Sequence, residues 1–186
     1  YNVHILNTNI TENMKKEVYK LGNENFNVEF NDVTNYLKSI SDKLPIRDYY
    51  SNTTYYRMFI AEMFPQYDKV IYIDSDTIVV GDISELYEKE LGDNYVGAAN
   101  EQAMVQVDTY GQYVEKVLGI DRNKFFNAGL LLINCHQFRE NHILELAKSI
   151  MIAARTAPKA RGRDNLVIVT ITKEDIIKLS DQTLKM

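Results

Sequence analysis

The chain has 186 residues, 45% of them hydrophobic, with a formal net charge of −5 and one cysteine. This length and apolar content can bury one good core, which predicts one domain with room for an appendage. The acidic balance excludes a nucleic-acid binder that works through a basic surface. The single cysteine excludes a disulfide framework, and the lack of a ~20-residue apolar run or a signal-peptide layout favours a cytoplasmic protein.

The N-terminal region alternates strand and helix patterns. Residues 2–6 predict a strand, and Thr11 predicts the N-cap of a helix over residues 12–21. Three apolar residues of this helix are expected to face inward: Met14, Val18 and Leu21. A second short strand is predicted at residues 28–30. Such alternation is typical of a largely parallel sheet that is covered by helices.

A core-packing helix is predicted over residues 54–66, where Pro65 ends the apolar pattern. Its apolar residues recur at i, i+3 and i+4 spacing: Tyr56, Phe59, Ile60, Met63 and Phe64. Arg57 lies off this stripe. Its guanidinium can neutralise a phosphate or brace nearby carboxylates, and the alternative is a solvated surface cation.

The segment VIYIDSDTIVV, residues 70–80, places two carboxylates one residue apart at the end of an apolar strand. A strand tolerates Asp74, Ser75 and Asp76 poorly, and two close anions repel each other. A divalent cation such as Mn²⁺ or Mg²⁺ offsets this repulsion, because it takes oxygen ligands and completes its shell with water and phosphates. The alternative is a strand end followed by an Asx-rich turn.

Two further strands are predicted, at residues 95–100 and 125–134. The second begins with Asn127, Ala128 and Gly129. An Asn side chain both donates and accepts hydrogen bonds, and small residues let a ligand approach the backbone closely. The alternative for these three residues is a bulged entrance to the strand.

Three motifs in this order carry a family resemblance: YYRMFIAEMFPQYDKVIYIDSDTIVVGDISELYEKEL, then YVGAANEQ, then FFNAGLLLINCHQFRE. Together they resemble family 8 of the retaining glycosyltransferases over residues 1 to about 140. The resemblance implies an α/β protein of the GT-A fold, with a mostly parallel sheet flanked by helices. It also implies a UDP-sugar donor, Mn²⁺ (or Mg²⁺), and a glycan or glycolipid acceptor as in lipopolysaccharide biosynthesis. A glycolipid acceptor would bring the protein to the membrane surface.

By position, the resemblance implies a set of donor-binding residues: Arg57, Asp74, Ser75, Asp76, Glu101, Asn127, Ala128 and Gly129. Asp74 and Asp76 of this set would be the metal ligands, and Glu101 is a loose match to an acidic residue near the sugar. The resemblance assigns no catalytic nucleophile to this chain.

Both ends depart from the family pattern. Tyr1 matches the beginning of the family's second strand, so we expect the first strand to be lacking. Residues 143–186 instead resemble the start of a little-characterised family with a ferredoxin-like domain, through the phrase AARTAPKARGRDNL. We therefore expect an N-terminally incomplete transferase-like domain at residues 1–140 and a helix-loop-strand-helix appendage at residues 141–186.

Two alternative functions stay open. One is a catalytically inactive module that binds nucleotide-sugar or serves assembly, because the chain lacks the family's C-terminal histidine motif. The other is a sugar nucleotidyltransferase, against which the lack of an early Gly-rich phosphate loop counts.

Overall fold

The computed structural model describes residues 1–38 and 52–147, which belong to two compact units. The first unit is Tyr1–Phe59 and the second is Ile60–Met186. Helices and strands alternate in both units, which confirms the predicted α/β class.

The first unit contains a parallel pair of strands, β1 (Asn2–Asn7) and β2 (Asn27–Asp32). Helix α1 (Glu12–Tyr19) connects them, and the Thr11 side chain accepts a hydrogen bond from the Met14 backbone N–H at 3.4 Å. The two predicted strands and the predicted N-cap are therefore confirmed. The short helix α2 (Thr34–Lys38) follows β2.

The inward orientation predicted for two residues of the first helix is wrong. Met14 is 61% exposed and Leu21 is 74% exposed, whereas Val18 is half-buried. The helix ends at Tyr19, so Leu21 lies beyond it and cannot extend a helical stripe.

A 3₁₀ helix, Asn52–Phe59, ends the first unit, and helix α3 (Ile60–Met63) begins the second. The predicted single α-helix over residues 54–66 is thus divided between two helix types. β-Branched and aromatic residues at positions 53–56 disfavour the α-helix. Four residues of the predicted apolar stripe are buried, and Met63 is half-buried: Tyr56, Phe59, Ile60 and Phe64 form the buried part.

The second unit has a three-stranded sheet in the order β3-β5-β4. Its strands are β3 (Lys69–Ile73), β4 (Val96–Asn100) and β5 (Phe126–Asn134), and β5 is antiparallel to both neighbours. The expectation of a mostly parallel sheet therefore needs correction in this unit. The apolar run of β5 fits either direction, because a central strand is buried whichever way it runs.

Further helices of the second unit are α4 (Ser84–Tyr87), α5 (Gln102–Gln106), α6 (Asp108–Val117) and α7 (Cys135–Glu140). A short 3₁₀ turn, Arg122–Lys124, leads into β5. The centre of the core is β5, where Leu131, Leu132 and Ile133 are at most 6% exposed. Within the two described ranges, no helix has the length and apolar character that a membrane crossing needs.

Candidate functional site

The end of β3 lies beside the beginning of β5. The backbone N–H of Asp74, just after β3, donates to the Gly129 carbonyl at 2.7 Å. This contact continues the antiparallel ladder, in which Ile73 faces Leu130. The D-x-D segment and the Asn-Ala-Gly segment, which are more than 50 residues apart in sequence, are therefore neighbours in space.

The Asp74 carboxylate is held between two neighbours. The Tyr72 hydroxyl donates to Asp74 Oδ1 at 2.5 Å. On the other side, a Cβ atom at Gly129 would lie 3.0 Å from Asp74 Oδ2, tighter than ordinary van der Waals contact. Glycine at 129 thus leaves the space that this carboxylate occupies.

The Asn127 side chain is fixed at both ends. Its Oδ1 accepts a hydrogen bond from the Gly129 N–H at 2.8 Å, and its Nδ2 donates to Glu101 Oε2 at 2.8 Å. Glu101 Oε1 accepts from the Ala103 N–H at 3.3 Å and so caps α5. Glu101, the loosest match of the sequence analysis, is therefore connected to the Asn-Ala-Gly segment.

Ser75 and Asp76 lie on the turn that follows Asp74. The Thr77 N–H donates to the Asp74 carbonyl at 3.1 Å, so the polar turn proposed as an alternative does form. Asp76 and Ser75 are exposed, whereas Asp74 is half-buried. The turn does not exclude a metal site, because the Asp76 side chain on it is exposed to solvent, where a cation can reach it.

The Asp74 and Asp76 carboxylates suit Mn²⁺ or Mg²⁺. One or two protein carboxylates commonly hold these ions, while water and phosphates fill the other positions. Among the described residues, no cluster of three or more His, Cys, Asp or Glu side chains could hold a metal. Within residues 1–38 and 52–147, Asp74 and Asp76 are therefore the proposed ligands, and the remaining positions would be filled by groups outside these ranges, such as water and phosphate.

Arg57 lies in the 3₁₀ helix of the first unit and is half-buried. Its predicted contact with the donor stays a prediction.

A charged cluster supports the segment that leads into β5. The Arg122 guanidinium donates to Glu115 at 2.8 and 2.9 Å and to Asp108 at 3.2 Å, connecting the 3₁₀ turn to α6. The hydrogen bonds from Arg122 lower the pKa of the Glu115 carboxyl from its ordinary value. The Asn100 side chain, at the end of β4, donates a hydrogen bond to the backbone of the same 3₁₀ turn.

Sequence reasoning missed Tyr72 and Arg122. A signal for Tyr72 existed, because residues i and i+2 of a strand point to the same face and Tyr72 precedes Asp74 by two. Arg122 follows α6 after a loop that contains a glycine. No rule of sequence spacing predicts a contact between Arg122 and that helix.

Comparisons with known proteins agree on one family. The sequence model described as Glycosyl transferase family 8 matches residues 1–181. A putative glycosyltransferase of Haemophilus influenzae is 29% identical over 119 residues, which cover 64% of this chain and 35% of that protein. Glycosyltransferase GlyE of Streptococcus pneumoniae is 32% identical over 142 residues, which cover 76% of this chain and 29% of GlyE. The chain thus spans about a third of the length of these curated relatives.

A solved structure shares the fold. The galactosyltransferase LgtC, in complex with donor and acceptor sugar analogs, matches with a TM-score of 0.68 and 25% identity. The match covers 94% of this chain and 58% of the LgtC chain. The predicted GT-A-like α/β fold is therefore confirmed.

Proposed function

Because this chain belongs to glycosyltransferase family 8, we propose that it transfers a hexose from a UDP-sugar to a glycan or glycolipid acceptor, with retention of configuration and dependence on a divalent metal. The LgtC complex with donor and acceptor sugar analogs supports two sugar ligands. A glycolipid acceptor would bring a cytoplasmic enzyme to the membrane surface.

One observation carries this proposal. The Asp74 N–H···O=C Gly129 hydrogen bond of 2.7 Å joins the acidic turn after β3 to the Asn-Ala-Gly segment of β5. Two carboxylates that suit a cation thus adjoin small residues that suit a sugar. A divalent cation bound here would supply Lewis acidity toward the departing diphosphate.

The other residues would bind and orient the donor. Asn127, whose amide is held by Glu101 and Gly129, would present an oriented side chain to the sugar. Ala128 and Gly129 would allow the sugar close to the backbone, and Ser75 would contact the ribose or the diphosphate. Arg57 would neutralise phosphate charge. We assign no catalytic nucleophile.

Calorimetric titration of UDP into the full chain, with and without Mn²⁺, tests the proposal. We expect Mn²⁺-dependent binding that Asp74→Asn and Asp76→Asn weaken strongly but measurably, since each variant replaces a proposed anionic metal ligand with a neutral one. Asp82→Asn is the matched control, because it removes one negative charge from the same loop and retains an acceptor for the Ser84 N–H. The control should bind UDP as the wild type does.

Turnover is then measured with UDP-glucose and UDP-galactose. Slow hydrolysis of each UDP-sugar is followed first, and transfer of the sugar to glycan and glycolipid acceptors is followed second. Metal-dependent UDP binding without turnover would favour the inactive module. Release of pyrophosphate from UTP and a sugar phosphate would favour the nucleotidyltransferase. A folded wild-type chain that does not bind UDP with Mn²⁺ would refute the proposed site.

A further inference from the structure

The Tyr72 side chain contacts one of the two carboxylates of the acidic turn. Tyr72 is in β3 opposite Leu131, and Asp74 is the first residue after the strand. Successive side chains of an extended chain alternate between faces, so residues 72 and 74 share one face. The Tyr72 hydroxyl donates to Asp74 Oδ1 at 2.5 Å in this arrangement.

This hydrogen bond joins a phenol donor to a carboxylate acceptor. Bonds from a hydroxyl to an ionised carboxylate are shorter and stronger than bonds between neutral groups. Tyr72 is half-buried, and the pairing of β3 with β5 holds its backbone. Its hydroxyl is therefore a fixed donor that restricts rotation of the Asp74 side chain.

Gly129 restricts the same carboxylate from the opposite side. Its carbonyl accepts from the Asp74 N–H, and its Cα hydrogens leave room for Asp74 Oδ2 where a Cβ would crowd it. The Asp74 carboxylate thus has fixed neighbours at both oxygens. Asp76, two residues on, is exposed on the turn.

We propose that Tyr72 is a positioning residue that holds the Asp74 carboxylate in the orientation in which it binds the divalent cation. This inference rests on the proposed function, because it takes Asp74 as a metal ligand. Ligand side chains are usually oriented by such outer hydrogen bonds, and loss of one commonly weakens metal binding about 10- to 100-fold. Asp74 and Asp76 would together hold the cation, and Tyr72 would orient the Asp74 carboxylate before the cation binds.

The test measures Mn²⁺ binding by the full chain in the presence of UDP, using the electron paramagnetic resonance signal of free Mn²⁺. We expect Tyr72→Phe to raise the Kd for Mn²⁺ at least about tenfold, in a chain that remains folded at the temperature of the assay. Tyr87→Phe is the matched control, since it also removes a tyrosine hydroxyl that donates to β3. The Tyr87 hydroxyl donates to the carbonyl of Lys69, at the opposite end of β3 from Asp74. Tyr87→Phe should bind Mn²⁺ like the wild type.

A double-mutant cycle separates positioning from a general structural effect. If Tyr72 acts through Asp74, Tyr72→Phe will not weaken Mn²⁺ binding further in an Asp74→Asn background. Equal Mn²⁺ affinity of the wild type and Tyr72→Phe would overturn the inference and leave the proposed function intact. Lack of Mn²⁺ binding by the wild type would overturn both.

Discussion

The Glu101 side chain makes two hydrogen bonds. One carboxylate oxygen caps α5, and the other accepts from the Asn127 amide. Replacing Glu101 with alanine removes both hydrogen bonds. We expect Glu101→Ala to lower the free energy of unfolding by about 1 kcal/mol, the usual effect of losing an N-cap. We also expect weaker binding of UDP-glucose, because Asn127 would lose the partner that orients it. Denaturant unfolding and calorimetry with Mn²⁺ measure the two effects.

Asp82→Ala is the control for this prediction. Asp82 Oδ1 accepts from the Ser84 N–H at 2.9 Å ahead of α4, so its loss also removes a local backbone contact at a helix start. We expect a comparable decrease in stability with unchanged affinity for UDP-glucose. If Glu101→Ala loses stability but binds UDP-glucose like the wild type, the contact with Asn127 has no role in donor binding.

The sequence pointed to the chemically unusual residues of the proposed site and did not point to Tyr72. Asp74, Asp76 and Gly129 stand out because a buried strand rarely accepts them. Tyr72 does not stand out, because a tyrosine in a β-strand is what packing alone predicts. Its contact with Asp74 required coordinates, since the strand pattern gives the face of a side chain and leaves open whether its hydroxyl finds a partner.

At the scale of elements, α6 and the 3₁₀ turn before β5 are joined through Arg122. Gly111 lies buried within α6, and a Cβ there would overlap the Arg122 guanidinium. Glycine in a helix normally costs about 1 kcal/mol relative to alanine. We expect Gly111→Ala to gain less than this amount, because the alanine Cβ would displace the Arg122 guanidinium from Glu115 and Asp108. In an Arg122→Ala background the same change should stabilise. Chemical denaturation of the four chains measures the cycle.

Gly81→Ala provides the comparison, because a Cβ at Gly81 would meet nothing within 4 Å. Its effect should be a small gain of about 0.4–1 kcal/mol in both backgrounds. If Gly111→Ala changes stability equally with and without Arg122, the contact between the glycine and the guanidinium does not explain the presence of Gly111.

Strand positions were predictable, but the direction of the central strand was not. Strands are predicted at residues 70–73, 95–100 and 125–134. Each differs from the corresponding strand, β3, β4 or β5, by one residue at its beginning. β-Branched runs bounded by polar residues identify a strand, whereas direction depends on how the chain returns to the sheet. The helix of residues 12–21 was predicted too long, because Leu21 extends the apolar spacing beyond the last helical residue.

At the scale of the whole molecule, we propose that residues 1–140 carry the donor site and that residues 141–186 form an appendage. The structure adds a specific expectation about this boundary. Leu144 lies just beyond it and is 5% exposed. A chain that ends after residue 140 should therefore be less stable than one that ends after residue 147, by the 2–5 kcal/mol typical of losing a buried leucine.

Thermal and denaturant unfolding of the two shortened chains measure the difference, and Leu144→Ala in the full chain is the control. The longer of the two should retain Mn²⁺-dependent UDP binding if the donor site lies before residue 141. Loss of UDP binding from a folded chain of residues 1–147 would contradict the proposed division, because it would make later residues part of the site.

The family was predictable because three motifs occur in the right order, and the match over residues 1–181 confirms it. That match includes most of the segment at residues 143–186 that resembles another family. Residues 148–186 lie outside the described residues, so a separate origin for this segment stays a prediction. The expected lack of the family's first strand likewise stays a prediction.

The burial of Cys135 has a practical consequence for work in solution. This cysteine, the one such residue in the sequence, is 0% exposed, and burial raises the pKa of its thiol to about 11. Because the thiolate is the reactive form, alkylating reagents at neutral pH should modify the chain only when the junction of β5 and α7 opens. The rate of modification therefore reports that opening, and a cysteine introduced on the surface can carry a fluorophore without removal of the natural one.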